Sequence, residues 1–140
     1  MNKMIKCLSL LVLILILTLG CGIKREKPDD VKLIKNLVDR FQRAVNQKQR
    51  PALDSLYIRG ELSRDYRIPK LLQDFSDLGD LRNIQFTAKR FEIFGDSAAV
   101  LCTLLAENAQ APGEGGVKKP FEINLLKQKK EWRIVGHKLK

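Results

Sequence analysis

Few side chains in this sequence could do chemistry: Cys7, Cys21 and Cys102, the single histidine His137, two tyrosines and a scatter of carboxylates. A cysteine attacks only as thiolate, which requires a base or a positive charge beside it. Cys102 lies between Leu101 and Thr103 in an apolar run and reads as a small buried hydrophobe. Its alternative, a nucleophile, lacks a basic neighbour in sequence, because His137 is far away. His137 itself admits two readings, a pocket acid–base group or a half-exposed sheet residue. One histidine without carboxylate or cysteine spacing around it gives no metal site, and no cofactor is called for. The Gly113–Gly116 cluster is no phosphate loop, since strand rather than helix signals follow it and no Lys-Ser/Thr pair does.

Cys7 and Cys21 belong to a different chemistry. Residues 1–23 read MNKMIKCLSLLVLILILTLGCGI, with Lys3 and Lys6 preceding an apolar stretch from Cys7 to Leu19. That is the layout of a secretory signal, and the stretch is short against the ~20 apolar residues of a spanning helix. Its end, Thr18-Leu19-Gly20-Cys21, resembles the lipobox of bacterial lipoproteins, with the leucine one place later than usual. The resemblance implies a signal peptide over residues 1–20, cleaved between Gly20 and Cys21. It also implies a thioether-linked diacylglycerol on Cys21 and an acylated amine, fed by palmitate or similar chains. Two or three chains make such an anchor nearly permanent. Gly22, where an aspartate would mark inner-membrane retention, implies the outer membrane facing the periplasm if the host is Gram-negative. The alternative is an uncleaved single-pass anchor. With Cys21 acylated, Cys102 has no partner and no disulfide forms.

The chain carries 26 Lys+Arg against 16 Asp+Glu, a net charge of +10. In a cytosolic protein that excess would suggest nucleic acid. Behind an export signal no nucleic acid is expected, and the excess suits anionic lipid, an envelope polymer, or solubility alone. Residues 117–140 concentrate it, with eight basic side chains (Lys118, Lys119, Lys127, Lys129, Lys130, Arg133, Lys138, Lys140) against Glu122 and Glu131. This basic C-terminal hairpin could lie on anionic head groups or bind acidic polymer; the bland reading is solvated hairpin tips. No protein partner can be named.

The elements that must position these residues follow from periodicity. Residues 21–30 form the lipidated cysteine and a polar tether, with Asp29-Asp30 as an N-cap, leaving 31–140 as one domain. About 110 residues suffice for a single core. Ile34, Leu37, Val38, Phe41, Ala44 and Val45 repeat at helical spacing. Pro51 opens a second helix with Leu53, Leu56 and Tyr57 inward, and Pro69 a third with Leu71, Leu72, Phe75 and Leu78 inward, closed by Gly79. Then the period becomes two. Ile84, Phe86 and Ala88 alternate, Phe91 and Ile93 alternate in the opposite phase, and a bulge at Lys89–Arg90 reconciles them. Gly95-Asp96 makes a turn, and strands follow over residues 97–107, 117–127 and 132–139. In the last, Arg133, Val135, His137 and Leu139 share one face, opposite Trp132 and Ile134. Helices followed by consecutive strands give an α+β fold with an antiparallel sheet.

The element order, the first helix ending Ala44-Val45-Asn46, and the closing string Glu131-Trp132-Arg133-Ile134-Val135-Gly136-His137 resemble the nuclear-transport-factor-2-like superfamily. This superfamily includes ketosteroid isomerases, polyketide cyclases and many lipoproteins. The resemblance implies a strongly bent sheet wrapped around N-terminal helices into a cone with a pocket at its open end. An isomerase-like site needs a carboxylate base and an acidic partner aimed at one oxyanion. The first helix has no tyrosine, and Glu92 and Glu107 are the carboxylates whose strand positions could turn inward. Tyr57, Tyr66, Trp132 and His137 are the candidate pocket lining. The sequence thus points to a membrane-anchored exported lipoprotein whose domain is a non-catalytic binding or interaction module. The alternatives are an isomerase- or cyclase-like enzyme using His137 or a buried carboxylate, and an adaptor recognisable by an exposed apolar patch.

Overall fold

The computed structural model describes residues 28–60 and 62–140; the expected signal peptide, the expected lipidation site Cys21 and the expected tether to residue 27 lie outside the described residues. Helix α1, Pro28–Asn46, buries all six residues of the expected apolar stripe, Ile34 to Val45. It begins earlier than the expected cap. Asp29 and Asp30 occupy its first turn, where carboxylates offset the positive end of the helix dipole. Asp30 is then buried, 5% exposed.

Helix α2, Arg50–Leu56, starts with Pro51 in its first turn, where the missing N–H costs nothing. The chain next passes Tyr57, whose backbone pairs with Ile134, and Ile58 N–H donates to the Ile134 carbonyl at 2.8 Å. A π-helical turn, Ser63–Arg67, leads directly into α3, Ile68–Asp77, which buries Ile68, Leu71 and Phe75. Leu72, expected inward, is exposed: the inner stripe of α3 runs 68, 71, 75, one residue away. Gly79 (φ +111°) ends the helix with its N–H on the Ser76 carbonyl, a conformation that favours glycine.

Four strands follow as an antiparallel meander in the order β1-β2-β3-β4: β1 Leu81–Phe94, β2 Ser97–Asn108, β3 Val117–Gln128 and β4 Glu131–Leu139. The expected bulge is present, Lys89 being skipped between the Ala88–Cys102 and Arg90–Leu101 pairs, so Phe86, Ala88, Phe91 and Ile93 all face inward. A second irregularity between Arg82 and Gln85 keeps Leu81 and Ile84 on that side too. The bulges bend this long strand and curl the sheet around the helices. β1 is an edge, and α1 covers it. Gln42 accepts the Phe86 N–H at 2.8 Å, while Asn46 accepts the Ile84 N–H at 2.8 Å and donates to its carbonyl at 2.7 Å. These two amides, four residues apart, occupy backbone groups that an open edge would offer to another chain.

β4 corrects the expected phase. Val135 is skipped between the Leu125–Ile134 and Asn124–Gly136 pairs, which reverses the alternation beyond it. His137, opposite inward-facing Ile123, therefore lies on the same side as Trp132 and Ile134, not opposite them. The two ends of the molecule are now defined. At one end sit the start of α1, the Gly95-Asp96 turn and the Lys129-Lys130 turn; the Lys127 N–H donates to the Asp96 carbonyl at 2.7 Å. At the other sit the end of α1, Leu81 and the loop after β2.

Candidate functional site

The centre of the cone is occupied by phenylalanine. Phe86 and Phe121 have ring centroids 5.0 Å apart, Phe41 lies 5.1 Å from Phe86, and Phe75 lies 5.9 Å from Phe121. Each ring comes from a different element (α1, α3, β1 and β3), so the plug joins helices and sheet at once. Tilted contacts at these separations are favourable beyond the area they bury.

His137 closes one side of the plug. Its ring stacks on Phe121 at 5.5 Å, and its Nε2 lies 2.7 Å from the Asp74 carboxylate on α3. Burial alone would raise the Asp74 pKa, but hydrogen bonds from Lys70 and His137 outweigh it and hold the carboxyl below its usual range. The ionised carboxylate can only accept, so Nε2 carries the proton. With its side chain 4% exposed, the imidazole ties α3 to β4 and offers no open face.

The other expected lining residues do not converge with it. Tyr66 is 62% exposed on the π-helical turn. Trp132 is buried at the opposite end of β4, its indole N–H donating to Asp30 at 3.1 Å. Tyr57 is fully buried, and its hydroxyl has no hydrogen-bond partner among the described residues. Burial pushes that hydroxyl well above the usual tyrosine range, with Arg67 pulling weakly the other way. An unsatisfied buried hydroxyl lowers stability, so Tyr57→Phe is expected to raise the unfolding free energy by about 1 kcal/mol. A urea midpoint unchanged or lowered would show that the hydroxyl has a function in the fold.

Glu92 and Glu107 lie on the outer face of the sheet, Glu92 paired with Arg90 and Glu107 accepting from Asn83 at 2.8 Å. Cys102 is on the inner face, its thiol pushed up to about 11 by burial, so it stays protonated and unreactive. Cys21 and Gly20 lie outside the described residues. No three His, Cys, Asp or Glu among the described residues gather as a metal site, and no described helix is long and apolar enough to cross a membrane.

What remains open is on the surface. One groove of about 440 Å³ runs between α1, α2 and the β3–β4 turn, floored by Leu37, Leu56 and Trp132. Arg40, Lys130 and Arg133 stand around it, and Arg133 is fixed by Glu131 at 2.5 Å and by the Ser55 carbonyl. A second groove of about 550 Å³, mainly apolar, lies at the other end between Val45, Leu72, Phe75, Leu81 and Ile84. The eight basic residues of the C-terminal hairpin spread along its length. Lys127, Lys129, Lys130 and Arg133 stand at the first end, Lys118 and Lys119 toward the second, roughly 30 Å away along β3, and Lys138 and Lys140 between them, beside Glu122 and Pro120.

Sequence reasoning missed Asp30, Asp74 and Arg40. Asp30 reads in sequence as an N-cap, and no motif or spacing gives Asp74 or Arg40 a role. Only the tertiary partner reveals each role. For Asp30 one signal existed: an acid next to the apolar stripe, where a buried charge demands a counter-ion.

No family model matches the chain, and no curated protein aligns with it significantly. Solved structures do match. A nuclear-transport-factor-2-like protein of unknown function from Shewanella oneidensis MR-1 superposes with TM-score 0.55 and 17% identity, over 77% of this chain and 96% of that one. One from Shewanella baltica OS155 gives TM-score 0.55 and 11% identity, over 84% and 98%. A protein of unknown function from Mycobacterium tuberculosis gives TM-score 0.58 and 16% identity, over 81% and 77%. Identities this low establish fold and nothing finer. The domain has the nuclear-transport-factor-2-like α+β cone.

Proposed function

We propose that this protein is an exported lipoprotein, anchored through Cys21, whose domain binds or docks at its surface and performs no catalysis. The observation that carries the non-catalytic reading is the phenylalanine plug. Where a substrate would sit, four rings and a histidine hydrogen-bonded to Asp74 fill the space. A pocket that works on a small molecule needs room and converging polar groups. The grooves left on this domain open on its surface instead. The anchor rests on Lys3, Lys6, the apolar run and Gly20-Cys21.

A second reading, an isomerase- or cyclase-type enzyme, has the His137–Asp74 pair in its favour. Its weakness is access: the proton-bearing nitrogen faces the carboxylate and Phe121 covers the ring.

Palmitate labelling and fractionation test the proposal. Wild type is expected to incorporate label and partition with membranes, and Cys21→Ser to lose both. Label retained by Cys21→Ser would overturn the anchor, and a small molecule converted by wild type but not by His137→Gln would overturn the non-catalytic reading.

A further inference from the structure

We infer that the groove between α1, α2 and the β3–β4 turn seats an anionic phospholipid of the bilayer that holds the anchor, an inference resting on the lipoprotein reading. Its position is the first argument. The start of α1 is fixed to the β3–β4 hairpin because Asp30 accepts from Lys127 at 2.6 Å and from Trp132 at 3.1 Å. The chain leading back to Cys21 leaves from this same point. Seven residue steps separate Cys21 from Pro28, so the groove's end of the domain stays within about 25 Å of the acylated sulfur. The apolar groove at the other end of α1 faces away from that attachment.

The second argument is chemical. An anionic phospholipid presents a phosphate joined to acyl chains. The groove presents cations beside an apolar floor: Arg40, Lys130 and Arg133 outnumber Glu131, which is already occupied by Arg133. Leu33, 46% exposed on the same flank of α1, extends the apolar surface outward. Phe94, also exposed, flanks the neighbouring turn at this end. Aromatic and aliphatic side chains mixed with lysines suit a membrane interface.

The third argument is the turn itself. Lys129 (φ 49°) and Lys130 (φ 70°) both adopt left-handed backbone in a two-residue hairpin loop. Asn-Gly or Asp-Gly is the unstrained choice there, and lysines carry a conformational penalty. Strain of this kind gathers where a side chain is needed for something other than folding. Here it keeps two ammonium groups at the end closest to the bilayer.

Trp132 is the chain's single tryptophan and lies in the groove wall, so it reports on occupancy directly. The full chain in neutral detergent micelles is titrated with brominated phosphatidylglycerol or brominated phosphatidylcholine, and Trp132 quenching is read. The micelle holds the chain whether or not Cys21 is acylated, so failure of the anchor (seen by palmitate labelling) and failure of the seat give different results. The anionic lipid is expected to half-quench at about fivefold lower mole fraction, as about one surface charge contact predicts. Arg40→Glu with Lys130→Glu should abolish the difference, while Lys118→Glu with Lys119→Glu, at the other end, should preserve it. Equal quenching by both lipids, an unchanged preference in the first double variant, or a Trp132 response to acidic polysaccharide but not to lipid would each overturn the assignment.

Discussion

Phe121→Ala is expected to lower the unfolding free energy by about 3–5 kcal/mol, a large share of the stability such a domain possesses. Phe121 is 2% exposed and its ring contacts Phe41, Phe75, Phe86 and His137, drawn from two helices and two other strands. Truncation removes the transfer energy of the ring and leaves a cavity that four rigid neighbours cannot collapse to fill. Urea denaturation of the variant would read the loss. Phe121→Leu, which keeps most of the volume, should lose clearly less. If the alanine variant loses under about 1 kcal/mol, the rings are not packed as a plug and the cone has spare volume.

That test bears on function as much as on stability. Should Phe121→Ala remain folded, the space it opens sits next to His137 and is lined by aromatic carbon. A dry cavity of that kind takes small apolar molecules. Wild type should take none there. The contrast would show that Phe121 fills the centre of the cone.

Much of the fold was legible because it depends on local pattern. The α1 stripe, the prolines opening α2 and α3, the Gly95 turn and the bulge at Lys89 were each fixed by residue spacing. The failures share a cause. The Val135 bulge lies beside Gly136, a residue that often marks a bulge, but no phase break in the apolar pattern shows it: Trp132, Ile134, His137 and Leu139 face inward although 134 and 137 differ in parity. An odd step hidden among Ile, Val and Gly reads as unbroken alternation, so His137 was assigned the wrong face. The structure does not bring Tyr57, Tyr66, Trp132 and His137 together, because residue type does not say which end of the cone a side chain occupies. The basic hairpin likewise reads as one cluster in sequence but is spread out in space, because β3 and β4 carry its lysines along their whole length.

Asp30→Ala should cost about 2–3 kcal/mol, an unusually large effect for a residue in the first turn of a helix. Most first-turn acids interact only with the helix dipole and contribute well under 1 kcal/mol. Asp30 is 5% exposed and its carboxylate accepts from the Lys127 ammonium and the Trp132 indole N–H, with Lys127 lying 5.5 Å over the indole ring. Removing the acceptor leaves a buried N–H unsatisfied and a half-buried cation without its counter-charge. The cation can swing partly into water, which keeps the loss below that of a fully buried pair. Two readouts separate this from ordinary fraying. Trp132 emission should shift to the red in the folded variant as water reaches the indole, and a double-mutant cycle with Lys127→Met should show coupling of about 1 kcal/mol or more. If the two changes are simply additive, Asp30 is not what joins the helix to the hairpin. The start of α1 would then owe its place beside the β3–β4 turn to packing and not to this charge pair.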